Sequence, residues 1–236
     1  MTEMIATRQA YGDTLVELGE KNKDIVVLDA DLSKSTTTAK FGKKYPDRFF
    51  NMGVAEANMM NTAAGLATCG KIPFVSSFSI FATGRAWEQI RNTICYSGLN
   101  VKIVATHSGV SVGPDGASHQ CIEDLSLMRT IPTMTVIEPC DAVETRKAIL
   151  AAVDYKGPVY IRLGRAAVPV ITKKEDPYTI GKANILRMGD DVAIVACGAL
   201  VVNSLTAADI LLMEGIKATV VNMHTVKPID QELLVK

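Results

Sequence analysis

The chain reads as an α/β protein: a doubly wound, mostly parallel sheet with helices on both faces, followed by an incomplete second α/β unit. Two observations predict this. Short apolar runs recur along the sequence, namely DIVVLDA (24–30), PFVSSFS (73–79), VKIVATH (101–107), MTVIEP (134–139) and PVYIRL (158–163). They are continuous rather than alternating, as strands covered on both faces should be. Longer helical stretches separate them, near residues 3–22, 55–68, 82–97 and 141–155. Strand–helix alternation of this kind favours parallel pairing.

The helix over 141–155 has the clearest start signal, with Asp141 as N-cap and Glu144 three residues on in capping-box spacing. After Arg165 the pattern lapses. AAVPVITKKEDPYTIGK, with two prolines and a short charged run, reads as a linker over 166–182 between a first domain, 1–165, and a second, 183–236. The pattern restarts with DVAIVACG (191–198), a helix over about 200–214 and KATVVNM (217–223), and Asp230 caps a further helix opening in DQELLVK. Two strands and two helices are too few to close a doubly wound domain, so either the chain is cut there or something else completes the sheet.

Composition narrows the function classes. The 236 residues are 48% hydrophobic and 21% charged, enough for a sizeable core. Lys+Arg and Asp+Glu number 25 each with no basic stripe, which argues against nucleic acid as a partner. No apolar run approaches the ~20 residues that span a bilayer, and MTEMIATRQAYGD has no signal-peptide core. Cys69, Cys95, Cys121, Cys140 and Cys197 are scattered without a CxxC pair, so neither a disulfide framework nor a zinc site is expected. Small residues in a reducing cytoplasm account for them.

Ligands of open α/β sheets sit beyond the carboxyl ends of the strands. The residues to inspect are therefore Asp29 and Asp31 with SKSTTT, Phe78 and Phe81, His107, and Gly164-Arg165. Two of the three histidines, His107 and His119, bracket most of the loop GVSVGPDGASHQ (109–120), which also holds Asp115 and three glycines. In MGVAEANMM (52–60), Glu56 is either a first-turn carboxylate complementing the helix dipole or a partly buried carboxyl. Desolvation favours the protonated form of the latter, which can donate to a heterocycle nitrogen. Phe78 and Phe81 suit either the core or stacking on a flat heterocycle. Arg8, Ser35 and Arg165 would form a phosphate site if the fold brings them together, since arginine forks match phosphate oxygens.

RFFNMGVAEANMMNTAAGLA, FVSSFSIFATGRAWEQIR and ATHSGVSVGPDGASHQCIEDLSLMRTIPTMTVIEPCD together closely resemble the pyrimidine-binding domain of transketolases, over residues 3 to 170. The region after 183 resembles the first half of the transketolase carboxy-terminal domain. The resemblance implies a thiamine diphosphate fold and gives residues roles. Glu56 is expected to hydrogen-bond the aminopyrimidine ring, Phe78 and Phe81 to surround it, and Asp31 to line the cofactor site. Asp115 is expected to read a sugar hydroxyl, His119 to lie beside the reacting carbon, and His107 to contact the sugar near its phosphate. Arg8, Ser35 and Arg165 are expected to anchor the phosphate.

The sequence departs from the family in having Ala57 where a histidine commonly follows the glutamate, and Gly84 where many members carry a third aromatic residue. It also lacks the GDG motif of the diphosphate-binding domain. The resemblance therefore implies the carboxy-terminal subunit of a split transketolase. Thiamine diphosphate and Mg2+ would be completed by an amino-terminal partner chain that holds the metal, in a dimer or a two-plus-two assembly acting on phosphorylated sugars. Two alternatives stand beside it: another thiamine diphosphate enzyme (deoxyxylulose-phosphate synthase or a 2-oxo acid dehydrogenase β subunit) and a non-catalytic assembly subunit.

Overall fold

A computed structural model describes residues 3–235. The strands in chain order are β1 (Met4–Ala6), β2 (Ile25–Asp29), β3 (Phe49–Asn51), β4 (Ile72–Phe78), β5 (Lys102–Thr106), β6 (Thr135–Ile137), β7 (Val159–Arg162), β8 (Ala167–Pro169), β9 (Asn184–Arg187), β10 (Val192–Ala196), β11 (Ala218–Asn222) and β12 (Thr225–Lys227). The α-helices are α1 (Thr7–Lys21), α2 (Ser33–Thr36), α3 (Ala39–Lys44), α4 (Glu56–Thr68), α5 (Asp124–Thr130), α6 (Ala142–Asp154), α7 (Leu200–Met213) and α8 (Gln231–Leu234).

The main sheet has seven strands in the order β12-β6-β7-β5-β4-β2-β3. All pairs are parallel except β12 on β6. Every residue of β2, β4 and β5 is buried, which is why these segments read as unbroken apolar runs. α4, Gln89–Tyr96 and α5 cover one face, packing Met59, Met60, Ala63, Ile90, Ile94 and Met128 against it. α1, α3 and α6 cover the other through Tyr11, Leu15, Phe41, Ala148 and Ile149. Ala63 and Ala64 of α4 thus pack within this domain.

The chain moves from β2 outward to β3, then reverses to β4 on the other side of β2. The carboxyl ends of β2 and β4, where that reversal lies, are the position at which open α/β sheets bind ligands.

Three expectations are corrected. The helix expected from residue 3 starts at Thr7, because Met4–Ala6 pairs antiparallel with Ala167–Pro169. The helix expected over 82–97 contains two π-type segments, Phe81–Arg85 and Gln89–Tyr96, separated around Ala86. Cys69, expected among the buried cysteines, is exposed.

The segment expected as a linker is tied down at several points. Pro169 and its neighbours form β8, and the Asp141 carboxylate accepts from Ile171 N at 2.8 Å, Thr172 N at 2.6 Å and Thr172 Oγ1 at 2.8 Å. Asp141 also caps α6 by accepting from Glu144 N at 2.8 Å. The Glu144 carboxylate reaches back to Cys140 N at 2.7 Å, one residue before the capping-box position, and accepts from Asn222 Nδ2 at 2.7 Å.

Beyond residue 183, β10, β11 and β9 form a small sheet against α7, and β12 then crosses to the β6 edge of the main sheet. α8 opens under Asp230, whose Oδ1 accepts from Leu233 N at 3.3 Å.

Candidate active site

The carboxyl edge of the main sheet gathers the residues singled out in the sequence. Glu56 is the first residue of α4, and its side chain is only 2% exposed. Ser77 Oγ, from the carboxyl end of β4, donates to Glu56 Oε1 at 3.3 Å. Arg85 Nη1 lies 3.3 Å from both carboxylate oxygens. Glu56 therefore stands at a helix N-terminus and is also buried.

The aromatic pair forms next to it. Phe78 and Phe81 stack with centroids 5.9 Å apart and 14° between their planes. His107 stacks on Phe78 at 3.7 Å, and His119 sets its edge against Phe81 at 5.2 Å. Two aromatic rings, two imidazoles and a buried carboxylate therefore share one patch.

His107 is held in a costly backbone conformation, with φ at +59°, where a side-chain-bearing residue is strained. It is buried, and its Nδ1 meets Thr106 Oγ1 at 2.9 Å. Burial, followed by the charges of Arg8 and Arg165, pushes its pKa down to about 4, with Asp115 opposing. His107 is thus a neutral ring at pH 7, suited to hydrogen bonding rather than ion pairing. Asp31 is likewise left-handed, at φ +64°, and is fixed by Asn51, which donates to Asp31 Oδ1 at 2.9 Å and accepts from Asp31 N at 3.1 Å.

Arg8, Ser35 and Arg165 come from three separate segments and converge. Arg8 Nη1 donates to Ser35 O at 2.7 Å, and Arg8 Nε donates to Arg165 O at 3.3 Å. Burial and the neighbouring Arg165 charge both lower the Arg8 pKa. Two half-buried guanidinium groups this close repel one another, a strain that a bound anion relieves.

The loop over 109–120 closes on itself at its base, where Gly109 and Cys121 exchange backbone hydrogen bonds at 2.8 and 3.2 Å. It lies against Arg165, which donates through Nη1 to Val112 O. Gly113 has φ +84°, and a Cβ there would fall 2.5 Å from Arg165 Nη1, so only glycine lets the loop approach the arginine. Asp115 is exposed on the loop, and His119 Nδ1 meets Ser118 Oγ at 2.9 Å.

Sequence reasoning missed three groups. Arg85, which binds Glu56, also places its Cζ 4.1 Å over the Phe81 ring. Ser77 read only as part of a strand. Beneath the loop, Arg162 donates to Asp124 Oδ2 at 2.8 Å and to Glu138 Oε1 at 2.5 Å, while Tyr160 OH donates to the same Asp124 oxygen at 2.7 Å. No local pattern signals these contacts, because the partners lie 24 to 38 residues apart in the chain. Among the described residues no group of three or more His, Cys, Asp or Glu side chains is arranged to hold a metal ion, and no helix is long and apolar enough to cross a membrane.

The family model "Transketolase, pyrimidine binding domain" matches residues 3–170, and "Transketolase, C-terminal domain" matches residues 181–236. A putative transketolase C-terminal section of Methanocaldococcus jannaschii is 55% identical over 97% of this chain and 73% of its own length. The 6-deoxy-6-sulfo-D-fructose transketolase subunit SqwH of a Clostridium species is 45% identical over 97% of this chain and 71% of its own. A solved structure described as a split gene transketolase, inactive β4 tetramer, superposes with a TM-score of 0.91 at 57% identity, over 99% of this chain and 76% of that one. With both domain models matched in order along the sequence and a relative 55% identical over nearly the whole chain, the chain belongs to the transketolase family.

Proposed function

We propose that this chain is the carboxy-terminal subunit of a two-chain, thiamine diphosphate-dependent transketolase that moves a two-carbon ketol unit between phosphorylated ketose and aldose sugars. The observation that carries the reading is Glu56, a carboxylate buried at the first turn of α4 beside the Phe81 ring. The residues fit an aminopyrimidine. A planar N–C–N group, the Arg85 guanidinium, is already held there by the same carboxylate and the same ring.

Bound thiamine diphosphate would supply the nucleophilic carbon, the hard step of the chemistry. Glu56 would share a proton with a ring nitrogen through its Oε atoms, and Phe78 and Phe81 would exclude water from the ring face. Neutral His107 would hold a hydroxyl proton of the sugar at Nε2, His119 would lie beside the reacting carbon, and Asp115 would read a further hydroxyl. Arg8 and Arg165, steadied by Ser35, would bind the sugar's anionic end.

The Mg2+ and the diphosphate would be held by an amino-terminal partner chain, with assembly as two copies of each. The relative described as a split-gene enzyme in an inactive β4 tetramer supports the need for that partner. The sulfo-sugar relative supports a second reading of the substrate alone, because a pair of arginines accepts a sulfonate as readily as a phosphate.

The test mixes this chain with its cognate amino-terminal chain, thiamine diphosphate and Mg2+, and follows ketol transfer from xylulose 5-phosphate. The mixture should be active and each chain alone inactive. Glu56→Gln in the mixture should lose at least ~10²-fold in kcat, the scale of general acid–base catalysis. Near-native turnover by Glu56→Gln, or activity of this chain alone, refutes the reading. Turnover of pyruvate in place of the ketose transfers it to the synthase class.

A further inference from the structure

Two surfaces define the seat for a flat heterocycle in this site, the Glu56 carboxylate and one face of Phe81. Phe78 stacks beside Phe81. The two rings are 5.9 Å apart and nearly parallel, whereas a planar group between them needs roughly 7 Å, twice a van der Waals contact. A flat group therefore cannot lie between the two rings, and Arg85 lies over Phe81 with Cζ 4.1 Å from the ring centroid. The same guanidinium reaches both oxygens of Glu56.

We propose that Arg85 competes with an aminopyrimidine-type ring for this seat and thereby sets how tightly the chain takes that ligand; the proposal rests on the functional reading above. The chemistry of the two occupants matches. A guanidinium presents a flat N–C–N edge with donors toward a carboxylate and a π face toward an aromatic ring, the two features by which an aminopyrimidine is held.

The hold on Arg85 is also loose. Its contacts at 3.3 Å are longer than the ~2.7–2.9 Å of a tight charge-assisted pair, and its side chain is 51% exposed. It can swing its charged end into water while its stem stays packed. Displacement is therefore inexpensive but not free, and the apparent dissociation constant is the intrinsic one divided by the fraction of time the seat is free of the guanidinium. Arg85 follows Phe81 by four residues in the π-type segment Phe81–Arg85, with Gly84 between them, whose added Cβ would have only Ile80 Cδ1 nearby at 3.9 Å. The side chain that would fill the pocket at position 84 is absent, and Arg85 folds over the ring.

The experiment uses the whole chain and thiamine, which carries the ring without the diphosphate and so does not require the partner. Isothermal titration should show Arg85→Ala binding thiamine about tenfold more tightly than wild type, the equivalent of removing one competing contact. Arg85→Lys, which keeps the charge but loses the flat stack, should fall between the two. In wild type the Arg85 Nε–Hε NMR signal should move toward the position of a solvated arginine as thiamine is added. A purely structural Arg85 would lower the melting temperature without tightening binding.

Arg85→Ala that binds no tighter than wild type, or an Nε signal that stays still while thiamine binds, overturns the proposal. If that occurs while the two-chain mixture is active and Glu56→Gln abolishes activity, the functional reading survives and the competition alone is refuted. An inert mixture with no thiamine binding by any variant refutes both.

Discussion

Asp141 is the residue whose removal should cost this fold the most per atom changed. Its buried carboxylate accepts four hydrogen bonds, from Glu144 N, Thr172 Oγ1, Ile171 N and Thr172 N, all between 2.6 and 2.8 Å. Asp141→Ala removes the α6 cap, worth ~1 kcal/mol. It also leaves the Thr172 amide, in a buried residue, without an acceptor at a cost of about 1–3 kcal/mol. The Ile171 amide is half-buried, water can reach it, and it adds roughly 1 kcal/mol. The sum is about 3–5 kcal/mol, at the exceptional end for a single substitution. Asp141→Asn keeps one acceptor oxygen and the shape of the side chain, so it should cost about half as much. Urea unfolding gives the total, and amide exchange at Ile171, Thr172 and Glu144 shows whether the loss is local. A loss below about 1 kcal/mol for Asp141→Ala, far under the range for an orphaned buried donor, would refute the account of how the segment after β7 is held.

Two further outcomes follow from the site and the β12 edge. Arg165→Ala in the two-chain enzyme should raise KM for phosphorylated sugars by about one to two powers of ten, the worth of one charge-assisted contact, and leave hydroxypyruvate nearly unchanged. Equal effects on both would remove Arg165 from the anion site. His224 is fully buried against Tyr178, and burial pushes its pKa down to about 4, below the ~6.5 of an unfolded histidine. Between those values the unfolded chain binds the extra proton, so this stability is present above pH 6.5 and is lost as pH falls toward 4. The loss is on the order of 2–3 kcal/mol, offset in part by Asp29 and Glu144, whose pKa values burial raises. In urea titrations from pH 7 to 4.5, the stability of wild type should therefore fall more than that of His224→Gln, and equal falls would exclude His224 as the source.

The sequence made the main strands legible for a physical reason. A strand buried on both faces has no polar side to mark, so DIVVLDA and VKIVATH stand out as unbroken apolar runs. The α6 cap was legible because Asp141 acts on a residue three positions away. Contacts that depend on distant segments were not. Met4–Ala6 becomes a strand only because Ala167–Pro169 pairs with it, and a three-residue edge pair leaves no periodicity. Prolines and charge made 166–182 read as a linker, but the polarity there serves partly to meet Asp141. The π-type turns of 81–96 were invisible because apolar spacing does not separate a wider helix from an ordinary one over so few residues. Arg85 stayed hidden for the same reason, since its place over Phe81 is set in that segment.

One edge of the sheet has two jobs, and the order of the strands divides them. The ends of β2, β4 and β5 carry Asp31, Phe78 and His107, and Glu56 joins them from the start of α4. The end of β6 carries Glu138, Cys140 and Asp141, which hold the second unit: Cys197 Sγ donates to Glu138 Oε2 at 3.0 Å, and Glu138 N donates to His224 O at 2.8 Å. β7 lies between β5 and β6, and its arginine is shared by the two jobs. Arg162 reaches Glu138 on the docking side. Through Asp124 and Tyr160 it also connects to Ser79, which bonds Ser108, the neighbour of strained His107. A residue at φ +59° stays there only if its surroundings over-determine it. The contacts of His107 itself are Thr106 and the Phe78 ring, and the polar chain that ends in the second unit reaches its neighbour Ser108. Glu138→Gln should therefore shift the NMR signals of the His107 imidazole, and signals that stay still would show that the polar chain does not bear on that ring.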